Sequence, residues 1–176
     1  MKQAIVKYKL TSREDFEERL SDLGLDFGII YWQHDRVYIP RSNAQNAPRL
    51  IIRTEVHALD KPAKYELILK RYIVDSGAII VNCTPIENYA EMTQMLHQLG
   101  FVKKTEISRQ RQDMGMGKNV VLRLDKIEGL PGDYVKLETV LDEGEKVSEV
   151  LDDLNKTLLV LGVKEKIESP YYKLLG

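Results

Sequence analysis

Apolar and long charged side chains alternate with a period of two through stretch after stretch of this chain. That pattern limits the fold more than any other feature, because it fits a strand with one greasy face and one charged face. In residues 3–10, Ala4, Val6, Tyr8 and Leu10 share one parity, while the other carries Gln3, Ile5, Lys7 and Lys9. In residues 49–56, Leu50, Ile52, Thr54 and Val56 oppose Arg49, Arg53 and Glu55. In residues 65–72, Leu67 and Leu69 oppose Glu66, Ile68 and Lys70. Arg109 and Arg111 share a face with Ile107. Val120, Leu122 and Leu124 oppose Arg123 and Asp125, and Val135, Leu137 and Leu141 oppose Lys136 and Glu138.

Between these stretches the period lengthens to that of a helix. Residues 11–24 open on Thr11 or Ser12 as a cap, with Glu14 or Asp15 three residues on, and carry Phe16, Leu20 and Leu23 as a stripe. Residues 86–100 place Tyr89, Met92, Leu96 and Leu99 together, and residues 145–162 do so for Val147, Val150, Leu151, Leu154, Leu158 and Leu161. Each pattern stops at Leu-Gly followed by an apolar residue, the signal for a left-handed glycine cap. The Leu and Met stripes read as core-facing. At 176 residues the chain is expected to form a single domain spanning 1–176, with similar strand-helix-strand-strand blocks over roughly 1–76 and 77–176. The loop candidates are 41–48 and 113–118. Gly115-x-Gly117-Lys118 lacks the length and the following Ser or Thr of a phosphate loop, so it reads as a hairpin turn.

Composition excludes several classes. Hydrophobic residues make up 43% and charged residues 30%, which argues against a disordered chain. No apolar run is long enough to span a bilayer, and no charged-then-apolar leader opens the sequence, so the expected address is cytoplasmic, with no membrane partner. The net charge of -1 argues against a general nucleic-acid binder. The lone Cys83, in the apolar run IIVNC, reads as a buried inert thiol.

The charged strand faces have two readings. One is an antiparallel sheet wetted on one side. The other is a sheet curled so that the charged faces meet. An empty barrel lined by cations would suffer repulsion in a reduced dielectric, so such a lining makes sense as a receptor for a polyanion such as phosphate. Arginine offers a planar fork to phosphate oxygens and lysine a point charge. A few carboxylates among them would hold a phosphate-bound magnesium or manganese ion.

On these motifs the chain resembles the CYTH superfamily, the triphosphate tunnel group of CyaB-type class IV adenylate cyclases, thiamine triphosphatases and inorganic triphosphatases. The likeness covers nearly the whole chain. The family's opening Glu-x-Glu-x-Lys is matched by Gln3-Ala4-Ile5-Val6-Lys7, which keeps only Lys7. Its Gln-x-Asp with a following tyrosine resembles Gln33-His34-Asp35 with Tyr38. Leu50-Ile51-Ile52-Arg53 stands for Leu-Arg-x-Arg, Leu67-Ile68-Leu69-Lys70 for Leu-Thr-x-Lys, and Arg109-Gln110-Arg111 for Lys-x-Arg. Residues 124–130, LDKIEGL, resemble the Leu-Asp-x-Val segment before a Leu-Gly turn. Lys136-Leu137-Glu138 replaces Glu-x-Glu, and the ending SPYYKLL resembles the family's terminal Ser-Tyr segment.

The resemblance implies an α+β fold, an eight-stranded antiparallel β-barrel with helices packed outside. It implies phosphate binding by Lys7, Arg53, Lys70, Arg109 and Arg111, and magnesium or manganese binding by Glu138 and Asp125. The implied ligand is ATP, tripolyphosphate or thiamine triphosphate. The implied activity is metal-dependent adenylate cyclase or triphosphatase chemistry. Against that stand the missing first-strand carboxylates at Gln3 and Ile5. The alternatives are a module that binds polyphosphate or nucleotide without processing it, and a barrel that holds an RNA end. The histidines His34, His57 and His97 show no ligand spacing. His57 reads as a loop-end residue, and Asp152-Asp153 as a solvated helix face. Tyr31 and Trp32 read as core or rim aromatics, with base stacking as the alternative.

Overall fold

The period-two stretches pair into one continuous antiparallel ladder. The computed structural model describes residues 1–42, 47–57, 61–73 and 76–175. The elements run β1 (Lys2–Lys9), α1 (Arg13–Asp22), β2 (Tyr31–Pro40), β3 (Arg49–Val56), β4 (Lys64–Tyr72), β5 (Ile79–Pro85), α2 (Tyr89–Gln98), β6 (Phe101–Gly115), β7 (Val120–Ile127), β8 (Tyr134–Val140), α3 (Val147–Val160), β9 (Glu165–Lys166) and α4 (Tyr171–Leu174). The strand order is β5-β4-β3-β2-β6-β7-β8-β1-β9, and an added β5–β1 pairing closes the first eight into a barrel. Short β9 hangs on β1 outside that circle, with Tyr8 opposite Lys166. Closure satisfies the backbone groups that a sheet edge would leave open.

The parity of each strand decides what it meets. The even residues of β1 face outward: Ala4, Val6 and Tyr8 lie in one cluster with Phe16 and Leu20 of α1 and with Leu154 and Leu158 of α3. The Tyr8 hydroxyl donates to Asn155 Oδ1 at 2.8 Å, tying β1 to α3. A second outer cluster holds Leu96 of α2 against Tyr38 and Ile52, with Met92 packed beside it. A third cluster lies inside the barrel, where Val37, Ile51, Ile68, Ile79 and Ile107 meet Tyr171. Strand β8 is buried from Tyr134 through Thr139, because helices cover one face and the barrel interior the other.

The three helices expected from periodicity, α1 to α3, form where their sequences predict, and the short α4 has no counterpart among those expectations. The Asp15 N–H donates to Ser12 Oγ at 3.1 Å, and Asn88 caps α2 in the same manner. Gly162 stops α3 with φ +81°, and a Cβ there would strike the Arg19 guanidinium, which donates to Leu161 O at 3.2 Å. The β6–β7 connection is the expected hairpin, with the Met116 N–H donating to Val120 O and Gly117 at φ +105°.

Other expectations need correction. Leu23 and Leu99 do not join the core: they sit at the helix C-caps, 63% and 69% exposed, where the chain turns away from the body. Cys83 is exposed. Strand β1 pairs with β5 only at Lys2–Ile80 and Gln3–Ile79, so β5 past Val81 runs beyond that neighbour. The alternation also misses β2 and β5 as strands, since β2 carries polar residues on both faces. Of the expected 41–48 loop, residues 43–46 lie outside the described residues. No helix among the described residues is long and apolar enough to cross a membrane.

Candidate functional site

The barrel interior is built on pairs of arginine and carboxylate set by strand register. Asp35 of β2 lies opposite Arg53 of β3. The Arg53 guanidinium donates from Nε to Asp35 Oδ1 at 2.7 Å and from Nη2 to Oδ2 at 2.9 Å. Arg109, on the other neighbour of β2, donates from Nη2 to the same carboxylate. One strand further, Arg111 of β6 lies opposite Asp125 of β7 and binds it through a fork of 2.6 and 2.7 Å. Arg111 and Asp125 are 1% and 0% exposed. Burial opposes the charge on Asp35, but Arg109 and Arg53 hold its carboxyl well below the usual carboxylate range. Burial likewise opposes the Asp125 charge, and Arg111 and Arg109 pull its pKa down. These are forks in a dry interior, the geometry in which a buried pair is retained as charge.

A second network occupies β7 and β8. Lys136 Nζ lies 2.5 Å from Glu138 Oε2, and Arg123 Nη2 lies 2.9 Å from Glu138 Oε1. Burial raises the Glu138 carboxyl pKa, and Lys136 and Arg123 more than reverse that. Burial also drives the Lys136 pKa well below its ordinary value, with Glu138 opposing.

Toward one end of the barrel the charge balance changes. Lys7, Arg49 and Lys70 line a cavity of about 90 Å³ together with Arg53, Arg109, Lys136 and the Asp35 carboxylate. Among the described residues, Lys7, Arg49 and Lys70 make no ion pair. Lys7 Nζ donates to the Ser169 carbonyl at 2.6 Å. The Arg49 guanidinium lies 4.4 Å from the Tyr72 ring centroid and 4.7 Å from that of Tyr172. Arg109 Nε, buried at the same cavity, has no acceptor among the described residues. Burial, with Arg49 adding repulsion, lowers Lys7 to a pKa of about 8. Burial followed by the Arg53 charge lowers Lys70 to about 8. An anion in this cavity would relieve both effects. Pro170, Tyr171 and Tyr172 of the C-terminal turn complete the wall.

The region around Tyr31 is different. An opening of about 400 Å³ is bordered by Glu55, Glu66, Asp113 and Arg123. The Tyr31 hydroxyl donates to Asp113 Oδ2 at 2.8 Å, and the His57 ring stacks on Tyr31 with centroids 4.6 Å apart. His57 also lies against Glu55, to which Gln33 Nε2 donates.

Of the sequence-predicted phosphate ligands, Lys7, Arg53, Lys70 and Arg109 reach one cavity, while Arg111 stands apart from its lining with its side chain fully buried on Asp125. The predicted metal ligands Asp125 and Glu138 are held in the ion pairs described above. No group of three His, Cys, Asp or Glu side chains among the described residues could hold a metal ion. Sequence reasoning left Asp35, Arg49, Lys136 and the Tyr171–Tyr172 wall without roles at this site. Arg49 had the right parity, and Asp35 sits in the Gln33-His34-Asp35 motif. Trp32 is 46% exposed, on the parity opposite to the buried Tyr31 and Gln33.

Comparison with known proteins agrees with this architecture. The chain is similar to the PH1819 protein of Pyrococcus horikoshii OT3, with 22% identity, a TM-score of 0.85, and coverage of 98% of this chain and 97% of that one. It is similar to a putative adenylate cyclase of Vibrio parahaemolyticus at 15% identity and a TM-score of 0.80, covering 98% and 97%. It also resembles the putative adenylyl cyclase HpAC1 of Hippeastrum, described as having a dominant triphosphatase activity, at 18% identity and a TM-score of 0.62, covering 99% and 95%. Among curated proteins none matches. The CYTH domain model matches residues 1–171, so the barrel with its charged interior belongs to a chain of the CYTH domain family.

Proposed function

We propose that the barrel is a receptor for a triphosphate group, carried by inorganic tripolyphosphate or by a small organic triphosphate such as ATP or thiamine triphosphate. The observation that carries this reading is the cavity where Lys7, Arg49, Lys70, Arg53, Arg109 and Lys136 converge around one lining carboxylate, Asp35, which is already bound by Arg53 and Arg109. Partly buried cations without a counter-charge are costly, and an anion in their midst recovers that cost. Asp35, in the cavity wall, fixes the planes of Arg53 and Arg109, and Arg109 Nε has no acceptor among the described residues. Pre-oriented donors of this kind suit phosphate oxygens.

The magnesium or manganese ion of the family's enzymes does not fit the residues present. The first-strand positions are Gln3 and Ile5, and Ile5 offers no ligand. Both oxygens of Asp35, Asp125 and Glu138 are already engaged by guanidinium or ammonium groups. A divalent ion would have to displace those groups while standing beside them. The site therefore supports binding more strongly than metal-assisted cyclisation or hydrolysis.

The test is thermal unfolding with millimolar tripolyphosphate, ATP and thiamine triphosphate, each followed by product analysis. Stabilisation by tripolyphosphate that is lost in Lys70→Met, with no product formed, is the expected result. Turnover would make the protein an enzyme. The absence of any stabilisation or turnover would overturn the reading.

A further inference from the structure

Resting on that binding reading, we infer that the Lys136 ammonium takes the place of a divalent cation in this tunnel, so that triphosphate binding needs no metal. The register of β1 and β8 carries the argument. Ile5 lies opposite Glu138 and Lys7 opposite Lys136. The apolar Ile5 and the cation Lys136 thus stand on either side of Glu138, where two further carboxylates would have made a metal cage. Lys136 Nζ sits on Glu138 Oε2 and Arg123 binds Oε1, so tethered basic groups already occupy that carboxylate, and an anion beside Lys136 would favour the ammonium form that burial opposes.

Lys136 also lines the cavity shared with Lys7 and Arg109, which puts its charge within reach of a bound anion. A metal ion placed there would face Lys136, Lys7 and Arg109 in a reduced dielectric, where repulsion between like charges is several-fold stronger than in water. In solution magnesium acts on the other partner. It binds free triphosphate and lowers its negative charge, which removes part of what the lysines attract. Metal is therefore a competitor here rather than a helper.

The experiment is calorimetric titration of the full chain with tripolyphosphate, once in EDTA and once in excess magnesium. Affinity in EDTA equal to or greater than that in magnesium is expected. Lys136→Met should weaken binding in EDTA about tenfold or more, while Lys136→Arg, which keeps the charge, should bind within a fewfold of the parent. Binding that requires magnesium would overturn the inference and leave the receptor reading intact. Metal-free binding indifferent to Lys136→Met, checked as folded by circular dichroism, would remove Lys136 from the role. No binding under either condition would defeat the receptor reading and this inference together.

Discussion

The arginines and the lysines of the barrel interior carry the same formal charge in opposite circumstances. Arg53, Arg109 and Arg111 lean on Asp35 and Asp125, and those carboxylates are held ionised by them. Lys7 and Lys70 have no ion-pair partner among the described residues, and burial lowers both to about 8. The first set is mainly structural, since two carboxylates offset most of the charge of three arginines before any ligand arrives, although Arg53 and Arg109 also border the cavity. The second set is unbalanced and gains from a ligand. A strand face that looks uniformly basic in sequence thus divides into a frame and a receptor.

Breaking the frame should have the largest effect. Asp125→Ala strands the Arg111 guanidinium with no counter-charge in a site without water access, and should cost about 3–5 kcal/mol, read by urea or thermal unfolding. A loss under about 1 kcal/mol would mean that Arg111 finds another partner and the frame is not needed. Breaking the receptor should leave folding alone. Lys70→Met should hold or raise the melting temperature while reducing tripolyphosphate affinity about tenfold or more. A variant that unfolded like Asp125→Ala would erase the distinction between the two sets.

The pH dependence sharpens the comparison further. In the free protein Lys7 and Lys70 lose their protons near pH 8, below the 10.5 of an unfolded lysine. Between those values the unfolded chain binds more protons, so these groups make stability rise with pH across that window. A bound anion restores the ammonium forms. At pH 8 binding should therefore take up roughly one proton at Lys7 and Lys70 together, with any uptake at the depressed Lys136 adding to it, and affinity should weaken toward pH 9. Titrations in buffers of different ionisation enthalpy would measure this, and Lys70→Met should reduce the uptake. The smallest effect belongs to the solvent-exposed pair Lys118–Asp142, at 3.5 Å, where Lys118→Met should leave the melting temperature and tripolyphosphate binding unchanged.

The division between frame and receptor was only partly legible beforehand. Parity alone placed Lys7, Arg53, Lys70, Arg109 and Arg111 on the charged strand faces, and all of them lie inside. The signal failed at β2. Tyr31, Gln33, Asp35 and Val37 alternate with Trp32, His34 and Arg36, so neither parity looks apolar and the strand is hidden. Alternation therefore gives no sign of Asp35, which is marked only by the Gln33-His34-Asp35 resemblance, although it ties together two of the arginines. The C-terminal wall was hidden for another reason, since SPYYKLL is too short for any periodicity to show where Tyr171 and Tyr172 go.

What the sequence by itself determined is everything that depends on neighbours a few residues apart. It set which side chains share a strand face, where the helices start and stop, and that one set of faces is cationic. Pairing, by contrast, depends on which strand lies beside which. Arg111 is neutralised because β7 brings Asp125 opposite it, while Lys7 faces Lys136 across β8 and Lys70 faces Arg49 across β3. The hairpin turn sets the β6–β7 register while barrel closure brings β1 beside β8, and in a low-dielectric interior the nearest charge decides whether a cation is part of the frame or open to a ligand.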